Sequence, residues 1–116
     1  MADFKDLRVW QAARRLSVAI YHITTPFPSS ERFGLGLQMR RAALSIAANV
    51  AESRGRFERG DQRRFLRIAQ GSARELESHL IIATDLHLVP ETVTKDALAA
   101  VNSIERMLSN LIRHSA

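Results

Sequence analysis

The sequence predicts an all-α fold, an up-down-up-down antiparallel four-helix bundle formed by a single domain over residues 1–116. Three observations carry that expectation. Apolar residues recur at steps of three and four in four separate stretches, which is the period of a helix face. Pro26, Pro28 and the Gly34/Gly36 pair fall between those stretches, and Pro90 stands at the start of the fourth. No stretch alternates apolar and polar residues as a half-buried strand does. A chain of 116 residues, 46% hydrophobic and 25% charged, is sized and composed for one hydrophobic core.

The first helix is expected over about 7–24, with Asp6 as N-cap and Trp10, Ala13, Leu16 or Ser17, Ile20 and Ile23 on its apolar face. Thr25, Pro26, Phe27 and Pro28 end it, because two prolines one residue apart cannot continue a helix. Ser30 then caps a short helical turn through Phe33, which Gly34 and Gly36 interrupt. The second helix, 37–54, is rich in alanine and turns Met39, Ala43, Ile46 and Val50 to the core. After a Gly55–Gly60 connection the third helix covers 61–88, and Leu66, Ala69, Ala73, Leu76, Leu80 and Ala83 keep heptad spacing, the mark of a bundle seam. Pro90 suits the first turn of a fourth helix, 90–114, with Ala97, Val101, Ile104, Leu108 and Leu111 on one side.

Short connections make sequential helices antiparallel. The start of the first helix, the end of the second, the start of the third and the end of the fourth then share one end of the bundle. Lys5, Arg8, Arg54, Arg56, Arg59, Arg63, Arg64, Arg67 and Arg113 gather there, opposed by few acids such as Asp6, Glu52, Glu58 and Asp61. The far end holds Glu31, Asp85, Glu91 and Asp96 with Arg32 and Lys95. The net charge is +5, and all but two of the seventeen basic residues are arginine, whose planar fork matches phosphate oxygens.

Such an end raises the local concentration of polyanions, so RNA or DNA is the expected ligand class. The candidate contacts are Arg8, Arg54, Arg56, Arg59, Arg63, Arg64, Arg67 and Arg74, with Arg63, Arg67, Gln70 and Arg74 on one outward stripe of the third helix. The competing reading is a solvated face with salt bridges to Glu58 and Asp61, or a surface on which a protein-interaction scaffold docks an acidic partner. Phe57, between Arg56 and Arg59, could stack on a base, but a phenylalanine just before a helix more often packs back as a staple, and that is the expectation here.

A second, polar stripe runs along the inner helices. Gln38, Arg41, Ser45, Asn49 and Glu52 face Ser72, Glu75 and His79, and a hairpin folded about Phe57 and Glu58 sets Arg41 beside Glu75, Ser45 beside Ser72 and Gln38 near His79. This is read as a structural seam that fixes register or lines a subunit interface. No histidine follows Glu75 or Glu77 by three residues as carboxylate-bridged metal bundles require, and His22, His87 and His114 lie on separate helix ends. There is no Gly-rich phosphate loop and no nucleophile elbow. No cofactor or metal is implied, and the protein is expected not to be an enzyme.

Cysteine is absent, which excludes a disulfide framework and thiolate chemistry. Residues 1–10 lack the apolar run of a signal peptide, and no segment approaches the roughly 18 apolar residues of a membrane span. The cytoplasm is the expected location, without membrane contact.

Several runs carry a family resemblance: Phe4, Leu7, Val9, Trp10, Gln11 and Ala12; Phe27 and Pro28; Gln38 to Ala43; Ser45 to Glu52; and Phe65, Leu66, Ile68, Ala69, Gly71, Ser72, Glu75 and Leu76. The chain resembles the bacterial four-helix-bundle family encoded in intervening sequences of 23S ribosomal RNA genes, and it is similar to the accessory protein of diversity-generating retroelements. The resemblance implies a small non-enzymatic bundle that assembles as a homo-oligomer, a pentamer in relatives, and the retroelement likeness implies binding of nucleic acid and of a protein partner. The family often has proline where this chain has Ala48 and glycine where it has Ser53, which bears on the bend of the second helix.

Overall fold

Side chains that repeat every third or fourth residue can be buried only if the helices bearing them meet along their lengths. The computed structural model, which describes residues 3–114, shows this arrangement. Residues 1–2 and 115–116 of the predicted domain lie outside the described residues. A 3-10 turn, Phe4–Asp6, leads into α1 (Arg8–Thr24); a single turn, α2 (Ser29–Arg32), precedes α3 (Leu35–Arg54); α4 (Arg59–Asp85) and α5 (Glu91–His114) complete the chain. The four long helices form a square in which α1 and α4 each pack on both α3 and α5. Among the described residues there is no strand, and no helix is long and apolar enough to cross a membrane.

The core is the one the periodicity marks. Ile20, Met39, Ile46, Leu76, Leu80, Ile104 and Leu108 are fully enclosed, and every residue of the α4 heptad series is buried. Enclosing one such large side chain stabilises the fold by about 1.5–3 kcal/mol. Trp10 and Ile23 are only partly buried, and Val9 and Thr24 take the inward positions beside them. Phe27, between the two prolines, is 3% exposed and plugs the bundle end.

α4 starts at Arg59, two residues before the expected 61, with Gly60 inside its first turn, and the element ends differ from the sequence reading in four further places. Asp6 does not cap α1: it lies in the 3-10 turn, which Asp3 caps by accepting from the Lys5 amide, and Leu7 precedes the helix. Ser30 lies inside α2, whose N-cap is Pro28. Gly36 sits within the first turn of α3, not before it, buried where a Cβ would come within 3.2 Å of the Glu31 carbonyl and 3.3 Å of the Phe27 ring. Glycine thus belongs to a close approach here, not to a helix break. α4 stops at Asp85, three residues earlier than expected, in a Schellman arrangement: Leu88 donates to the Ala83 carbonyl and His87 to that of Thr84. α3 runs unbroken through Ala48, and the Ser53 hydroxyl donates back to the Val50 carbonyl.

His87 adopts a φ of 61°, the left-handed position glycine normally fills after a helix. Replacing it with glycine is expected to raise the unfolding free energy by about 0.5–1 kcal/mol, while His87→Val, β-branched, should lower it by about 1 kcal/mol or more. Urea denaturation of both variants checks the sign of each.

Between α4 and α5, Glu105 Oε1 is shielded from solvent and has no hydrogen-bond partner. Burial pushes this carboxyl above the usual carboxylate range, the nearby Glu77 adds to the rise, and Arg74 opposes it. A carboxyl raised in the folded state supports folding fully below its unfolded pKa, and that support is lost as pH rises through the folded value. Glu105→Gln is therefore expected to raise the thermal midpoint near about pH 7 and to leave it unchanged near about pH 3, where both states are protonated. Equal shifts at both pH values would show that the gain is unrelated to ionisation.

Candidate nucleic-acid interface

Each bundle end carries two helix starts and two helix ends, so the helix dipoles largely cancel and the charge of an end is set by its side chains. The structure confirms which termini meet. The 3-10 turn packs on both α1 and α3, Asp6–Val9 share a groove with Met107–His114, and Gln70 of α4 donates to Ser109 of α5 at 3.2 Å. The start of α1, the end of α3, the start of α4 and the end of α5 are thereby at one end. Six arginines lie between residues 52 and 67, against three acids.

The α3–α4 connection is built around backbone contacts at Gly55 and a side-chain clasp from α4. Gly55 and Arg56 donate to the Glu52 and Ser53 carbonyls, and Gln62 Nε2 reaches back to the Arg56 carbonyl at 2.7 Å. Phe57 is left 99% exposed. The expected staple is not formed, because the position that would receive it, four residues past the Glu58 N-cap, is the polar Gln62; farther along α4, Phe65 is covered by arginine, with Arg56 4.7 Å and Arg64 4.5 Å from its ring centre. Two guanidinium planes held against one ring are oriented with little loss of freedom on binding.

The remaining candidates divide by their neighbours. Arg56 pairs with Glu52, and Arg64 with Asp61 at 3.6 Å; neither carboxylate occupies more than part of a fork with five donors. Exposed pairs of this kind contribute about 0–1 kcal/mol, so a phosphate can displace the carboxylate at little cost. Arg8, Arg59 and Arg67 are exposed, Arg63 is half-buried, and Arg54 has its Nε buried without a partner. Arg74 is exposed but stands farther along α4, where it lines a groove with Arg106 and Arg113 of α5. Sequence reasoning missed Phe65 as the ring that orders Arg56 and Arg64, and Arg106 as a neighbour of Arg74. The signal for the first was the hairpin register, which sets residues 52–56 opposite 61–65.

The polar stripe separates into an inner and an outer part. Ser45 Oγ and Ser72 Oγ meet at 2.8 Å, and Asn49 Nδ2 donates to the Ser45 carbonyl at 2.8 Å and to its hydroxyl at 3.0 Å. Gln38, Arg41 and Glu52 are exposed. Among the described residues no ion pair joins Arg41 to Glu75. Glu75 instead meets His79 Nε2 at 3.2 Å, one turn along its own helix. Proximity across the hairpin was anticipated correctly for the short side chains, whereas the long ones reach solvent or a partner on the same helix.

The bundle is similar to a solved structure from Bacteroides thetaiotaomicron VPI-5482, a protein of unknown function from the S23 ribosomal protein family. The two agree at a TM-score of 0.84 over 90% of this chain and 95% of that chain, with 22% identity, a likeness of fold. No curated protein matches the chain. The family model described as 23S rRNA-intervening sequence protein matches residues 5–110, a span that takes in part or all of every long helix. The chain therefore belongs to the 23S rRNA-intervening sequence protein family.

Proposed function

We propose that this protein is a non-catalytic, homo-oligomeric nucleic-acid-binding protein of the cytoplasm that holds RNA or DNA phosphates on its arginine-rich end. One observation carries the reading: a fully exposed phenylalanine, Phe57, stands at the same tip as an arginine cluster, so phosphate contact and base stacking are available together. The neighbouring Arg56–Phe65–Arg64 stack supports it by presenting two guanidinium groups in fixed planes. Oligomerisation, for which a pentamer is the family-based expectation, is supported by the outward apolar residues Val18, Leu44, Ile68 and Ile81, which a single bundle leaves uncovered.

A second reading, a scaffold that docks an acidic protein partner, is favoured by the same composition, since arginine and aromatic residues are also what protein hot spots use. Salt dependence separates the two. Each single-strand phosphate neutralised contributes about 0.7 to the slope of log affinity against log salt. Replacing Arg63, Arg64 and Arg67 with glutamine is expected to lower that slope for an RNA pool by about two, read by fluorescence anisotropy between about 50 and 200 mM salt. Phe57→Ala should weaken binding by about 1–3 kcal/mol at each salt concentration and leave the slope alone. Unchanged RNA binding in the triple variant overturns the site, and a protein complex of fixed stoichiometry with no RNA affinity supports the scaffold. Light-scattering mass of the free protein checks the oligomer.

A further inference from the structure

The basic end does not stop at the tip. Arg63, Arg67, Gln70 and Arg74 follow one another along α4 at steps of four, three and four, so they form a single stripe that climbs away from the α3–α4 connection. The upper part of this stripe becomes one wall of a groove of about 460 Å³ between α4 and α5. Gln70 and Arg74 line one side, and Asn102, Arg106, Asn110 and Arg113 line the other. The groove therefore has three arginines and three amide side chains, and Arg74, Arg106 and Arg113 are all exposed. Gln70 donates to Ser109 across it in an exposed hydrogen bond, and Arg113 donates to the Asn110 side chain.

We infer that this α4–α5 groove is a track for one strand of nucleic acid, continuing the contacts made at the tip, so that a strand of about five nucleotides is held from Arg63 to Arg74. The inference rests on the reading of the tip as a nucleic-acid site. Its length follows from geometry: eleven residues of helix rise about 16 Å, and stacked nucleotides of one strand advance about 3.4 Å each. A single strand fits better than a duplex. Packed helices are spaced about 8–10 Å apart, which leaves a furrow for one backbone, and a furrow lined by amides can meet the hydrogen-bonding edges of unpaired bases. At the same end of the bundle, in the α3–α4 connection, Phe57 is exposed and available to an end base. Among the residues that line the groove the opposing group is the Glu105 carboxyl, contributed by α5 beside Arg74 with one oxygen shielded, and Glu77 stands near both.

The test uses the whole protein and oligouridylates of 3, 6 and 12 nucleotides, with a duplex of 12 base pairs as a fourth probe. The groove variant carries Arg74→Gln, Arg106→Gln and Arg113→Gln, exposed helical positions where glutamine keeps helix propensity, and thermal melting verifies its fold. A companion with lysine at the same three positions retains the charge. The track predicts that wild-type affinity for single strands rises from 3 to 6 nucleotides and then rises only slowly. It predicts that the glutamine variant loses this gain and about two from its salt slope, on the order of tenfold in affinity, while the lysine variant keeps the slope. It also predicts that the duplex binds more weakly than the 12-nucleotide strand. If the groove variant binds every probe as the wild type does while the variant at Arg63, Arg64 and Arg67 does not, the track is overturned and the tip reading stands. If the wild type ignores all four probes at low salt, both are overturned. A duplex that binds as tightly as the strand, with the slope lost in the groove variant, overturns the single-strand assignment.

Discussion

Close approach of α3 and α4 governs both the stability of this molecule and the position of its charge. Ala42, Ala43, Ala69 and Ala73 are buried with almost no side-chain bulk, which lets the two helix backbones come near one another. An antiparallel pair of smooth surfaces can slide, and sliding by one turn would move every arginine of α4 by about 5.4 Å relative to the end of α3. The Ser45–Ser72 hydrogen bond, backed by Asn49, opposes that slip. Its partners are half-buried or buried, so a displaced pair would leave a hydroxyl without a partner, at about 1–3 kcal/mol. The contact is small, yet it sets which residues of α4 lie beside the end of α3.

The chemistry of the tip follows from that register. Arg56 comes from the α3 side of the connection and Arg64 from α4, and they share the Phe65 ring only because the hairpin places residue 56 beside residue 65. The staple position of α4 is the polar Gln62, engaged with the Arg56 carbonyl, so the phenylalanine of the connection remains in water. Exposing a phenylalanine forgoes burial of roughly 1.5–3 kcal/mol, a loss that a core with twenty-one buried apolar side chains among the described residues can bear. The same core gives the arginines a rigid base. Their carboxylate neighbours, Glu52 and Asp61, hold them in place at surface-pair strength, about 0–1 kcal/mol.

Much of this was legible in the residues, and the parts that were not have physical causes. Heptad spacing in α4 and the faces of α3 and α5 marked residues that are buried, Leu111 excepted, which is only partly covered near the end of α5, because burial follows period and period is visible in a sequence. Helix ends were less legible. Asp6 and Ser30 have the right chemistry for caps, but a cap needs a particular backbone conformation as well, and the 3-10 turn and Pro28 supply that conformation at neighbouring positions. Gly36 reads as a break because glycine is a poor helix former; its actual role, leaving room for Phe27 and the Glu31 carbonyl, depends on a contact between elements that sequence spacing does not contain. His87 carries no sequence signal of a left-handed residue at all. Arg41 and Glu75 illustrate the limit for long side chains: register places their backbones close, but rotamers and solvent decide where the charged ends go.

The candidate site was legible as a location and not as an arrangement, and this difference says how the charge is built. In a phosphate loop the recognising groups are consecutive, so a short motif reveals them. Here the arginines come from both sides of a hairpin and from α5, and Arg74, Arg106 and Arg113 become neighbours only through the packing of two helices. Their spacing is therefore written in the antiparallel register, the same quantity that the alanines and the Ser45–Ser72 pair control. A substitution that widened the α3–α4 contact would change the charge geometry of the tip without touching an arginine, whereas the α4–α5 groove, set by a different pair of helices, would keep its own.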